Sequence, residues 1–180
     1  MKKSIITTER LTLRKLKKED NIAWLRIFNS AEVGQFIHRI EDLDTINKII
    51  DKIIKKYADN LGECFSIIEN KTNQIIGNIG LKYDFQYNSA EISYVIDKNF
   101  WNKGFATESA RALIKYAFID LQIKRIIADA RADNYASNRI LSNKLSMKLI
   151  DSKTNKDGIM FNFYAINSDD YKNLSKNIQI

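Results

Sequence analysis

A mixed α/β fold is what the chain predicts, on three observations. Several short runs alternate apolar and polar residues with a period of two, as half-buried strands do, while several longer runs carry apolar residues at helical spacing. The passage from Ala90 to Arg131 strings together strand, glycine turn, helix and strand, the make-up of a crossover between parallel strands. The 180 residues include no proline, no low-complexity linker and no repeated period, so a single domain over residues 1–180 is expected.

Taken in order, RLTLRKL (Arg10 to Leu16) alternates leucines with polar partners and is the first strand. Glu19 and Asp20 open a helix carrying Ile22, Leu25, Ile27 and Phe28. After an irregular stretch from Ser30 to Asp44, Thr45 is the expected N-cap of a second helix, on which Ile46, Ile49, Ile50, Ile53, Ile54 and Tyr57 draw an apolar stripe. CFSIIE and QIIGNIGLKY flank the polar turn Asn70 to Asn73 as a β-hairpin; Gly77 and Gly80 inside its second strand mark a bulge or a close approach. AEISYVID (Ala90 to Asp97) is the fourth strand of this count. Ala106, Ala110, Leu113, Ile114, Ala117 and Phe118 then line one face of a helix. RIIADAR (Arg125 to Arg131) is the fifth strand, Asn134 to Leu145 a helix, and MKLID and IMFNFYAI a closing pair of strands.

Composition narrows the function classes. The lone Cys64 has no intrachain disulfide partner, no Cys/His cluster offers metal-ligand spacing, and the single histidine, His38, excludes any mechanism that needs two. A soluble, cytoplasmic protein without metal is expected, since no apolar run is long enough to span a bilayer and the first residues lack a secretory pattern. The net charge of +7 is scattered over the chain, and no nucleic-acid module is recognisable, so neither nucleic acid nor membrane is an expected partner.

The stretch NFWNKGFATES (Asn99 to Ser109) joins the fourth strand to the following helix. A helix N-terminus exposes unpaired N–H groups and partial positive charge, which suits a phosphate; Gly104 lets that backbone come close, Lys103 adds a cation, and Ala106 allows tight packing. Taken alone, the same residues also describe an ordinary tight turn. They match neither a Walker loop nor the Rossmann fingerprint.

FWNKGFATESARALIKYAF resembles the acyl-CoA pyrophosphate loop and helix of the GNAT-family N-acetyltransferases, specifically the RimJ/RimL-like branch. TTERLTLRKLKKED, AEISYVI and ADNYASNRILSNKL resemble that branch's first strand, fourth strand and penultimate helix, so the likeness runs from about Thr7 to Tyr164. It implies a GNAT-type, mostly antiparallel central sheet flanked by helices, with a V-shaped cofactor cleft between the fourth and fifth strands. The implied cosubstrate is acetyl-CoA. Backbone groups of Tyr94, Val95 and Ile96 would bond its pantetheine arm, and Asn102, Lys103, Gly104, Phe105, Ala106 and Thr107 its pyrophosphate. Asn134, Ser137 and Asn138 would also reach the cofactor, although Asn134 as N-cap and Ser137 in the first turn equally suit a plain helix start. Arg139 and Lys144 belong either to cofactor contacts or to the solvated helix face.

Direct attack by an amine on the thioester is the implied reaction. It needs a base, an oxyanion donor and an acid. Glu91 is the implied base, a backbone N–H near Val95 the oxyanion donor and Ser137 the acid, with Tyr135 and Tyr164 the nearest tyrosines by sequence for that last role. Glutamate near a strand's start is as often a surface ion-pair partner. The acceptor is expected to be a protein N-terminal α-amine, of ribosomal-protein type, or else a small amine such as a polyamine, an amino acid or an aminoglycoside; a catalytically silent acyl-CoA-binding module is the reading from another class. Glu32, Glu41, Asp42 and Asp44 lend the Ser30 to Asp44 stretch an acidity that would attract an amine. The state would be monomer or homodimer. Two departures from the family stand out: Ser146-Met147 where Gly-Phe is frequent, and Asn162 and Tyr164 where an aspartate commonly precedes an aromatic.

Overall fold

The computed structural model describes residues 3–177. Its strands are β1 (Ile5–Thr7), β2 (Leu11–Lys15), β3 (Gly62–Glu69), β4 (Gln74–Asp84), β5 (Ser89–Ile96), β6 (Arg125–Arg131), β7 (Lys148–Thr154) and β8 (Met160–Asn167). They form one eight-stranded sheet in the order β1-β2-β3-β4-β5-β6-β8-β7. Every neighbouring pair is antiparallel except β5 with β6. The helices are α1 (Asn21–Phe28), α2 (Ala31–Gly34), α3 (Leu43–Ala58), α4 (Phe105–Ile119), α5 (Tyr135–Arg139) and α6 (Ser168–Asn177). β1 is too short to show an alternation, which is why the fourth and fifth predicted strands are β5 and β6.

Two apolar clusters hold the layers together. On one face α4 buries Ala110, Leu113 and Ile114 against Phe65, Ile67, Ile79 and Ile92. On the other, α1 and α3 close Trp24, Ile46 and Ile50 over Leu16 and Cys64. Each isoleucine or leucine so buried contributes about 1.5–3 kcal/mol, so the stripe on α3 fixes that helix to the sheet although its other face is charged.

Local details correct several expectations. Asp42, not Thr45, caps α3, its carboxylate accepting the Thr45 N–H at 2.7 Å. The irregular stretch holds the short helix α2, capped by Ser30. Register between β3 and β4 slips at Ile67/Ile68, leaving Ile76 as an extra residue on β4. Beside that bulge, a Cβ on Gly77 would fall 2.3 Å from the Val95 carbonyl oxygen, so the close approach is that of the neighbouring strand. The predicted helix after β6 is α5 followed by a π-helical turn, Ile140–Lys144. Ser146 adopts φ +55° and Met147 is buried, so the turn for which the resemblance implied Gly-Phe is made with a serine in the left-handed region.

Among the described residues no helix is long and apolar enough to cross a membrane.

Candidate active site

β5 and β6 pair only from Ser89↔Arg125 to Glu91↔Ile127, although β5 continues to Ile96 against β4 and β6 to Arg131 against β8. Past Glu91 the two strands part, and a cleft of about 460 Å³ opens between them, the predicted V. Tyr94, Val95, Ile96, the loop residues Phe100 to Asn102 and Gly104 to Thr107, the start of α5 and its π turn, and Val33, Phe36 and Ile37 line it.

Which backbone groups face the cleft follows from the ladder. The Asp97 N–H donates to the Ile76 carbonyl at 2.8 Å, so in the antiparallel alternation Val95 turns its N–H and C=O toward Asn78 on β4. Tyr94 and Ile96 turn theirs to the open edge. The Val95 N–H is thus turned away from the cleft, and the open N–H beside it is that of Tyr94. One of the open groups is already used: the Trp101 indole N–H donates to the Ile96 carbonyl at 2.7 Å, folding the loop back on its strand.

At the far end of the strand Asp97 is buried, accepts the Asn99 N–H and pairs with Arg26 at 3.2 Å. The loop then passes through two left-handed residues, Asn102 (φ +61°) and Gly104 (φ +82°), and Gly104 caps α4 without a side chain. The first intrahelical bond runs from the Glu108 N–H to the Gly104 carbonyl, which leaves the N–H groups of Phe105, Ala106 and Thr107 at the cleft without helical partners. Arg10 and Glu108 brace this turn from behind. Glu108 accepts from Thr8 Oγ1 at 2.6 Å, the Arg10 N–H at 3.0 Å and Arg10 Nε at 2.7 Å; Arg10 Nη1 donates to the Lys103 carbonyl, and its guanidinium lies over the Phe105 ring. Partial burial opposes the Glu108 charge, but the Thr8 hydroxyl and the two Arg10 donors outweigh it and hold the carboxyl below its usual range. Only the likeness of TTERL to a family strand hinted at this clamp.

Asn134 caps α5, accepting the Ser137 N–H at 3.1 Å. The Ser137 hydroxyl lies 3.0 Å from the Tyr94 hydroxyl, inside the cleft. Burial pushes the Tyr94 phenol up to about 12 against the opposite pull of Ser137, so it stays protonated at neutral pH. Tyr135 is 80% exposed, and the Tyr164 hydroxyl donates to Asn138 at 2.7 Å; neither lies against Ser137.

Two expected cofactor residues stand outside the lining. The Asn138 amide donates to the Arg131 and Asn134 carbonyls, while its oxygen accepts from Asn162 and Tyr164, so all of it is spent joining α5 to β8. Lys103 Nζ lies 4.7 Å from the Phe100 ring centroid. The cations that line the cleft are Arg139 and Lys144. Glu91 is not in the lining either: it sits at the last paired position, half exposed, with Lys82 Nζ at 3.5 Å. The acidity of the Ser30 to Asp44 stretch is also largely engaged, Glu32 with Lys98, Glu41 with Arg39 and Asp42 in its cap.

A forked sheet with an unpaired strand edge, a glycine-capped helix and a cradle of free N–H groups is a seat for a long, phosphate-bearing ligand. Residues 10–144 match the family model described as Acetyltransferase (GNAT) domain. The chain belongs to the GNAT acetyltransferase family. The protein named Uncharacterized N-acetyltransferase p20, from Bacillus licheniformis, is 35% identical over 144 residues, 78% of this chain and 80% of its own. Among solved structures, a GNAT-family acetyltransferase from Bacillus anthracis superposes with a TM-score of 0.81 at 26% identity, covering 92% of this chain and 99% of that one. The ribosomal L7/L12 α-N-protein acetyltransferase RimL, solved in complex with coenzyme A, shares the fold with a TM-score of 0.83 at 20% identity, covering 92% and 99%. As a GNAT enzyme this chain is an N-acetyltransferase, and the family's acyl donor, acetyl-CoA, fits the open edge of β5 and the N–H cradle of α4.

Proposed function

We propose that this GNAT enzyme acetylates a protein N-terminal α-amine, with cytoplasmic ribosomal-protein termini as the first class to test. One observation carries the reading. α1 and α3 cover the sheet only over β2 to β4, and beyond them the face of β5, β6 and β8 stays accessible, with Glu91, Ser93, Asp129 and Phe163 on it, which suits an extended chain with a cationic end. The fold likeness to RimL supports the same class.

When bound, acetyl-CoA supplies an activated acyl thioester with a thiolate leaving group. The N–H groups of Phe105, Ala106 and Thr107 would hold its pyrophosphate, with Arg139 and Lys144 adding positive charge; the open edge at Tyr94 and Ile96 would align its arm. The Tyr94 N–H donates to the developing oxyanion. Ser137 is the acid that protonates the departing sulfur, and the Tyr94 hydroxyl beside it turns a weak lone donor into a two-member relay. Deprotonation of the amine falls to a carboxylate on the accessible face, which carries Glu91 and Asp129.

CoA release should be measured with peptides matching ribosomal-protein N-termini beside polyamines, amino acids and aminoglycosides. Peptides are expected to turn over with the highest kcat/KM, and mass spectrometry should find the acetyl group on the terminal nitrogen. A small amine outpacing every peptide would replace this acceptor class, and acetyl-CoA binding without CoA release would leave a silent binding module.

A further inference from the structure

The two carboxylates of the accessible face differ in their distance from the chemistry. Glu91 stands beside Ile127, so Asp129, two residues on, projects from the same face of β6 past the point where the strands part. Its neighbour on β8 is Phe163, and its level on β5 is that of Ser93, whose β4 partner is Gly80. The Tyr94 N–H lies three residues beyond Glu91, a rise of about 10 Å along a strand, but only about 3 Å beyond the level of Asp129.

The surrounding charges agree. Lys82 of β4 sits with Glu91, Arg131 of β6 is tied to Asp133 and to the Gln35 carbonyl, and Lys153 of β7 is tied to Asp151. Among the described residues, therefore, Asp129 has no cationic partner. Asp129 is exposed on the accessible face, yet the protein packed around its carboxyl and then the Glu91 charge raise it above the usual range, the direction a base for an amine requires.

We propose that Asp129 is the proton acceptor for the incoming amine, with Glu91 as its charge partner at the mouth of the fork. The proposal rests on the transferase reading above. The ammonium gives its first proton to the Asp129 carboxylate, and the freed lone pair attacks the thioester carbon. The C–N bond forms to give the oxyanion that the Tyr94 N–H holds; as it collapses the C–S bond breaks, Ser137 gives its proton to the sulfur, and the second nitrogen proton restores Ser137. Asp129 then returns its proton to water.

Steady-state kinetics at saturating acetyl-CoA should show Asp129→Asn lowering kcat/KM for the amine on the order of 100-fold, with KM for acetyl-CoA unchanged and the acidic limb of the pH profile gone. Glu91→Gln should keep most of the turnover and move that limb to lower pH, and Asp129→Glu should restore part of the rate. In the cofactor-free protein, carbon NMR of the Asp129 carboxyl should show its titration midpoint falling in Glu91→Gln. Wild-type rate and profile in Asp129→Asn, or a loss matched by weakened acetyl-CoA binding, would overturn the assignment alone. So would an unmoved midpoint, or Glu91→Gln as the variant that abolishes turnover. Wild-type protein that binds acetyl-CoA yet releases no CoA to any amine would remove the transferase reading and this assignment with it.

Discussion

On the donor side of the fork, one contiguous stretch from Trp101 to Glu108 supplies the cradle, and it is braced at several points. Trp101 is bonded to the Ile96 carbonyl, the Lys103 carbonyl to Arg10, and Glu108 to Thr8 and Arg10. On the accessible face proposed for the acceptor, Glu91, Asp129 and Phe163 come from three strands and share that face only through sheet register. The donor side reads a ligand of fixed chemistry with backbone groups, whose positions a glycine and a helix start dictate. The acceptor side reads with side chains, so its selectivity lies in which residues the register sets side by side.

If that contrast holds, donor-side substitutions should act alike on every amine, whereas acceptor-side ones should reorder the amines. Ser137→Ala gives the largest expected effect on the donor side: turnover falls on the order of 100-fold for all acceptors, with the acetyl-CoA Kd little changed. Equal loss of Kd and kcat would reduce Ser137 to a binding contact. Gly104→Val comes next. A Cβ there would meet only the Arg10 guanidinium at 3.4 Å, so the cost is the left-handed backbone and not crowding. About 2 kcal/mol of strain should weaken acetyl-CoA binding about 30-fold by calorimetry, whatever the amine.

Glu108→Gln tests the brace. Because its carboxyl is held below the usual range in the fold, its stabilisation is present above the unfolded value, about 4.3, and is lost as pH falls through the lower folded value. Urea melts should show the variant about 1 kcal/mol less stable at pH 7, with the gap closing toward pH 3; a gap independent of pH would mean that packing, not charge, holds the turn. Ser146→Gly has the smallest effect, a gain below about 1 kcal/mol in melting free energy, since relief of the left-handed serine is partly offset by the entropy of glycine.

The same contrast explains how much was legible beforehand. Apolar periodicity marks seven of the eight strands and the long helices, and a glycine before a helix marks the N–H cradle at one end of the cleft; these are local properties that a linear reading reaches. β1 escaped because three residues cannot display a period. Tyr135 and Tyr164 look closest to Ser137 along the chain, yet Tyr94 is the one that touches it, because only the parting of β5 and β6 brings that strand and α5 together.

By itself, then, the sequence determined a mixed α/β chain of the GNAT type, the position of the glycine-capped loop before α4 and the serine in the first turn of α5. The tertiary structure decided that Tyr94, not Val95, turns its amide into the fork, that Asn138 is spent joining α5 to β8, and that Lys103 stands over Phe100 outside the lining. Register also sets Asp129 two residues further along the strand direction than Glu91. The reason is physical: helix starts and strand alternation are set by residues a few positions apart, whereas the direction of an amide or the neighbour of a carboxylate depends on register between strands distant in sequence.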